Sequence, residues 1–374
     1  MKLFVSIIFT LSFCFAVNAQ DDIYPAKANT GIFFITNARI HVGNGTVIET
    51  GTIKVEKSKI TAVGQNIPIP QGEVKVFDAK GQDVYPGLIL PVTDLGLKEI
   101  AGSVRGSNDF LELGDLNPSV RAIVAYNTDS KIINVLKSNG IVLAGITPEG
   151  GTISGSSSVV QLDAWNWEDA AYKIDNGIHL NMPSFVAKPN RANLPAGSPP
   201  PVDPTKESLS KIDEIKSFFR QAKAYLESSS HKETNIKFEA VRGLFEKKQK
   251  LFVHGNQVKQ ILFAIDFAKE FGFDVVVVGG SESFMVADLL KQNNVAVILH
   301  EEHDLPATED DDVDQPYKTP AVLQRAGVLF ALNDEHEESR FRNLMFNAGT
   351  AAAYGLSKEQ AIQAITLNSA RILG

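Results

Sequence analysis

The densest set of reactive side chains is His300-Glu301-Glu302-His303, two imidazoles and two carboxylates in four residues. A zinc protease needs its two histidines one helical turn apart, in the order His-Glu-x-x-His on an amphipathic helix. The order here differs, and the run follows the strand-like stretch 295–299. With Asp304 and the acidic stretch 309–312 beside it, it reads as a solvated acidic loop whose aspartates still offer the hard oxygens a cation takes. Residues 150–158 are rich in Gly and Ser, as anion-cradling loops are, but hold no P-loop lysine. Ser154, Ser156 and Ser157 have no evident histidine partner in the sequence, so nothing indicates a serine nucleophile. Trp165 and Trp167 flank Asn166 and read as core packing ahead of a pocket wall.

The elements that must position any site fall into two parts. Residues 31–84 read as short strands at 31–35, 38–42, 51–56, 59–63 and 74–78, punctuated by Gly43-Asn44-Gly45, Gly64 and Gly81. A sheet this small does not stand alone, so it is expected to pack on a larger domain. Beyond residue 85, buried strands alternate with helices. A strand at 251–254 precedes a helix whose Val258, Ile261, Leu262, Ile265 and Ala268 share one face, with Gly272 to stop it. Strands follow at 275–278 and 295–299, with a helix capped near Ser281 between them. Thr319-Pro320 is expected to open another helix, Gly327 to end it, and 328–332 to form the next strand. Apolar strands separated by helices imply a parallel sheet covered on both faces, and periodicity alone does not separate a closed barrel from an open sheet. Residues 186–236, with Pro-rich 195–204 and a helix-like 208–227, read as an insertion on the surface. Ser357 and Gln360 form a capping box for a last helix.

Composition narrows the function classes. The chain has 374 residues, 44% hydrophobic and 21% charged, the profile of a globular protein with ample core material. Residues 1–19 read as a cleavable export signal: Lys2, an apolar run from Leu3 to Phe15, and Val17-Asn18-Ala19 before Gln20. The run is too short to span a bilayer, so the protein is expected to be periplasmic or secreted and not integral to a membrane. The sole cysteine, Cys14, lies inside that signal, which leaves neither a disulfide framework nor a thiol nucleophile. Cleavage would leave 35 Lys and Arg against 44 Asp and Glu, an excess of acid that repels phosphate backbones and argues against a nucleic-acid partner.

Several stretches together resemble the amidohydrolase superfamily, in its imidazolonepropionase-like branch. They are Val84-Tyr85-Pro86-Gly87-Leu88-Ile89, Gly150-Gly151-Thr152-Ile153-Ser154-Gly155, Leu162-Asp163-Ala164-Trp165-Asn166-Trp167-Glu168-Asp169 and Phe252-Val253-His254. Two more lie near the end, Asn347-Ala348-Gly349-Thr350-Ala351-Ala352-Ala353-Tyr354-Gly355-Leu356 and Ala364-Ile365-Thr366-Leu367-Asn368-Ser369-Ala370-Arg371-Ile372-Leu373-Gly374. The resemblance implies an α/β fold, a TIM-type (β/α)8 barrel over 85–374, with a small β-sandwich domain begun by 31–84. Relatives of this kind continue with strands that complete the sandwich. Here those C-terminal strands are missing, which implies a truncated chain and apolar surface exposed on 31–84.

The resemblance also implies where the site lies. Such barrels work at the C-terminal ends of their strands, with one or two divalent metals that acidify a water and polarise a carbonyl. The usual ligands are a His-x-His pair after strand one, a strand-four lysine or glutamate, histidines on strands five and six, and a strand-eight aspartate. Here the strand-one pair reads Val92-Thr93-Asp94, and valine has no lone pair for a metal. His254 matches strand five, with a plain polar strand end as the alternative. Asp334 matches strand eight, with a helix N-cap as the alternative. Strand six ends in Val278-Gly279-Gly280-Ser281-Glu282 with no histidine, and Glu282 reads as first-turn charge on a helix. The strand-four ligand is not placed.

The resemblance therefore leaves a degenerate metal site of Asp94, His254 and Asp334, enough for one divalent metal, zinc or manganese, with the oxygen-rich set favouring a hard, weakly held ion. The implied activity is hydrolysis of a carbon–nitrogen bond in a small cyclic amide or related small-molecule substrate, with Asp334 also the catalytic general base. A catalytically silent barrel, serving as a binding subunit in a homo-oligomer or beside a paralogous partner chain, is the open alternative.

Overall fold

A computed structural model describes residues 25–99, 109–186, 203–228, 230, 232–300, 303–306, 310–334 and 340–374. The export signal expected at 1–19 lies outside the described residues. Five strands form the smaller sheet: β1 (Ile32–His41), β2 (Val47–Glu56), β3 (Lys59–Gly64), β4 (Lys75–Asp78) and β5 (Asp83–Val84). Their order is β3-β2-β1-β4, with β5 also pairing with β1. One face buries Ala38, Ile40, Ile53, Val55 and Ala79, while Ile60 and Phe77 are exposed. His41 ties this sheet to the rest of the molecule. It stacks on Tyr85 at 4.3 Å, with Nδ1 2.8 Å from Glu359 Oε1 and Nε2 3.1 Å from Asp83 Oδ1.

Eight strands form the larger sheet: β6 (Leu88–Thr93), β7 (Ile141–Ile146), β8 (Ile153–Gln161), β9 (Ala171–Asn181), β10 (Lys250–Gly255), β11 (Val275–Gly279), β12 (Ala296–Leu299) and β13 (Phe330–Leu332). They run in chain order around an almost closed barrel. Successive side chains on a strand face opposite ways, so one strand feeds two cores. Phe252, Val276, Val278, Ala296, Ile298 and Ala331 fill the interior, whereas Leu251, Val253, Val275, Val277, Val297 and Phe330 meet the outer helices. This double burial is why these strands read as continuous apolar runs.

The all-parallel expectation needs correction at β8, which is antiparallel to both β7 and β9. The reason lies in the connections. A parallel crossover takes a dozen or more residues. Only 147–152 join β7 to β8 and only 162–170 join β8 to β9, so the chain must turn back as hairpins. The helix at 167–170 is one turn long, with the Asn166 side chain accepting from the Asp169 N–H.

The surface insertion expected at 186–236 also needs correction. Its Pro204–Glu227 portion is a helix joining β9 to β10, with Pro204 in the first turn and the Asp203 side chain accepting from the Thr205 N–H. Ile212, Ile215, Phe218, Phe219 and Ala222 line one stripe and are buried against the barrel. Charged residues on the opposite face gave the segment its surface character. The helix expected to open at Thr319-Pro320 begins one turn earlier and spans Gln315–Ala326. Pro316 occupies its first turn, and Pro320 falls inside it. Gly272 and Gly327 close their helices with φ of 71° and 72°, the left-handed conformation that glycine adopts without strain. The Ser357–Gln360 capping box is formed.

β13 and β6 share no strand ladder, and side chains close the seam between them. Asn333, fully buried, accepts from the Val92 N–H at 3.2 Å and donates to the Val92 carbonyl at 2.9 Å. Asn368 of the last helix, Leu367–Leu373, donates to the Phe330 carbonyl, while Ile372 and Leu373 enter the barrel interior. Replacing Asn333 with leucine removes both bonds and leaves two buried backbone groups of Val92 unpaired. We expect a loss of about 1–3 kcal/mol for each, read by urea unfolding. A loss below about 0.5 kcal/mol would mean that the amide does not close the barrel.

Candidate functional site

Each of the three sequence-derived candidates stands at the carboxyl end of a barrel strand, but they engage different neighbours. Asp94 follows β6 in a tight turn, where its backbone carbonyl accepts from the Leu97 N–H and its carboxylate lies 3.5 Å from Lys98 Nζ. Lys98 in turn sits over the Phe110 ring, 5.3 Å from its centre. Asp334 follows β13 and is buried, with Oδ2 accepting from Asn347 Nδ2 at 3.2 Å. The same Asn347 amide donates to the Asn333 carbonyl, which links the end of β13 to the helix Leu344–Ala353.

His254, near the end of β10, meets a second imidazole that the sequence analysis does not single out. This is His179 on β9, the fourth barrel strand, its Nδ1 2.8 Å from His254 Nε2. His179 lies flat on Phe252, with ring centres 4.8 Å apart and planes 6° apart, and is 1% exposed. Its other nitrogen, Nε2, is buried without a hydrogen-bond partner. Burial, and secondarily the neighbouring His254, hold this imidazole well below the usual histidine range, so it is neutral at pH 7. The signal that marks it is Ile178-His179-Leu180-Asn181 ahead of Met182-Pro183, where polar residues alternate with apolar ones at the end of a strand.

The other sequence candidates resolve into structural roles. Glu282 does complement a helix N-terminus, but that of the helix Val258–Phe271: its carboxylate accepts from the Val258 N–H at 2.6 Å. His303 pairs with Thr350 Oγ1 at 2.6 Å and meets the edge of Tyr317; Glu301 and Glu302 lie outside the described residues. Trp165 is 59% exposed and so is not the core residue expected, whereas Trp167 packs against the main core. The stretch 150–158 forms a Gly150-Gly151 turn and the first part of β8, where Ser156 Oγ donates to Asp175 and Ser157 Oγ to Asn176.

The donor set does not fit a metal. Among the described residues, no three or more His, Cys, Asp or Glu side chains form a group able to hold an ion. The expected set of Asp94, His254 and Asp334 is therefore not assembled as such a group. Val92, at the first strand-one position, belongs to the apolar barrel interior. At the strand-six end, a Cβ added to Gly279 would collide with Asn256 Oδ1 and sit 2.9–3.0 Å from the His300 ring. Side chains from neighbouring strands thus fill the space of a strand-six ligand.

No family model matches the chain, and no curated protein does. Solved structures do. An amidohydrolase from Thermotoga maritima MSB8 superposes with a TM-score of 0.75 at 23% identity, over 91% of this chain and 88% of that one. The fold is amidohydrolase-type. A molinate hydrolase aligns at a TM-score of 0.51 and 14% identity, covering 92% and 85% of the two chains. A prolidase complexed with N-methylphosphonate-L-proline aligns at 0.50 and 13%, covering 91% and 87%. Among the described residues, no helix is long and apolar enough to cross a membrane.

Proposed function

We propose that this protein is an exported, amidohydrolase-type hydrolase, close to the imidazolonepropionase-like branch, that acts at a carbon–nitrogen bond of a small cyclic amide or related compound. The observation that carries this reading is the placement of buried His179 and Asp334 and half-buried His254 at strand ends of an amidohydrolase-type barrel, where such folds present their chemistry. The neighbours' own names, prolidase and molinate hydrolase, are consistent with it. Asp334, positioned by Asn347, is the assigned general base, and the imidazole pair is the assigned proton-holding contact with substrate.

That no three or more His, Cys, Asp or Glu side chains among the described residues form a group able to hold an ion favours a second reading, a barrel that binds its ligand, alone or beside a partner chain, without turnover. One assay separates the two. The mature chain is incubated with hydantoins, lactams and proline dipeptides while released amine and thermal midpoint are followed. Hydrolysis that falls ~10²-fold or more in Asp334→Asn supports the first reading. A raised midpoint without amine release supports the second. Neither response to any compound would overturn both.

A further inference from the structure

We infer that the His179–His254 hydrogen bond stands in place of a metal ion, so that the barrel mouth is a metal-free site where His179 Nε2 meets the amide group of a small neutral ligand. The inference deepens the proposed site and rests on the mouth being the place of binding, not on hydrolysis.

Geometry decides against a shared ion. Two imidazole nitrogens bound to one tetrahedral zinc at ~2.05 Å each lie about 3.3 Å apart. The nitrogens here are 2.8 Å apart, the separation of a hydrogen bond with one proton between them. That bond commits the Nδ1 of one ring and the Nε2 of the other. The groups that would have to supplement the pair point the same way. Val92 offers hydrocarbon, Asp94 is matched by the cation of Lys98, and Gly279 has no room for a side chain.

What the pair leaves available is His179 Nε2. Phe252 fixes the ring by stacking, and Nε2 lies buried without a partner. Such a group carries a desolvation cost that a hydrogen-bonding ligand removes. Its polarity depends on which ring holds the shared proton. With the proton on His179 Nδ1, a neutral ring presents a lone pair at Nε2 and takes an N–H. With the proton on His254 Nε2, it presents N–H at Nε2 and takes a carbonyl. A cyclic amide carries an N–H beside a C=O and satisfies either state without a net charge. A carboxylate or phosphate serves only one of them and would bring an unpaired charge into a buried place.

The test uses the mature protein produced in medium supplemented with zinc and manganese. Metal content is measured by mass spectrometry, thermal midpoint with and without EDTA, and binding of hydantoin by calorimetry. We expect substoichiometric metal, a midpoint unmoved by EDTA, and hydantoin binding that is insensitive to EDTA. His179→Phe keeps the stack on Phe252 and removes both nitrogens; we expect it to weaken hydantoin binding ~10-fold with the circular dichroism unchanged. Stoichiometric metal that EDTA strips with a fall in midpoint would overturn the inference, as would undiminished hydantoin binding in His179→Phe or none in the wild type. Metal content is read on the unaltered chain, so it decides even where the variant fails to fold. Absence of amine release, by contrast, would count only against hydrolysis.

Discussion

Phe219→Ala is expected to cost about 3–5 kcal/mol of stability, the range for emptying a buried aromatic site. Phe219 is fully buried on the helix Pro204–Glu227, with ring centres 5.3–5.9 Å from Phe218, Phe267, Phe271 and Phe273. Edge-to-face contacts of this kind add to the burial of area. Phe267 and Phe271 belong to the next barrel helix and Phe273 to the turn after it, so the cavity would lie between two βα units. Urea unfolding of the variant should show one cooperative transition at a lower midpoint. A change within about 0.5 kcal/mol, the usual range for surface positions, would restore the view of 186–236 as an appended insertion.

Stability is expected to fall as the pH drops below about 6.5, and His179 should account for much of the slope. Burial keeps its imidazole neutral in the folded protein, whereas the unfolded chain takes up a proton at the ordinary histidine value. Below that value the unfolded state binds more protons, so folding loses about 1.4 kcal/mol per pH unit until the buried ring itself charges. The contribution is thus complete above ~6.5 and is lost toward acid. Asp115 and Asp83 are held below the usual carboxylate range, chiefly by hydrogen bonds from Lys211 and His41 respectively. Their contributions survive until the pH nears ~4, a separate window. Unfolding free energies of wild type and His179→Phe should therefore keep a constant separation from pH 8 to about 6.5 and change separation below it, the variant having the shallower slope. Parallel curves would mean that His179 is not buried neutral.

What the sequence revealed divides along physical lines. Local chemistry was legible: Gly272 and Gly327 as left-handed helix ends, Ser357 with Gln360 as a capping box, and Ile261 and Ile265 on the buried face of Val258–Phe271, although Leu262, expected on that face, is exposed. Each depends on a few adjacent residues. Strand direction was not legible, because a strand buried on both faces reads the same either way; only the short links 147–152 and 162–170 encoded the reversal at β8. The helix Pro204–Glu227 misled because polar residues outnumber apolar ones along it, while Ile212, Ile215, Phe219 and Ala222 carry its packing.

The site shows the same division. Resemblance located Asp94, His254 and Asp334 at strand ends, where the structure has them. Their neighbours lie far off in sequence: His179 is 75 residues from His254, and Asn256 and His300 converge on Gly279 from two other strand ends. Such contacts are products of barrel closure, and residue spacing does not announce them.

The imidazole nitrogens of His179 and His254 report most directly on this account. A long-range 1H–15N spectrum of the labelled protein, assigned by single substitutions and recorded with and without added zinc, distinguishes protonated, lone-pair and metal-bound nitrogens. A neutral His179 ring hydrogen-bonded to His254 through one shared proton is expected, with signals that zinc leaves in place. Zinc-induced shifts at both rings, or two rings that share no proton, would contradict it.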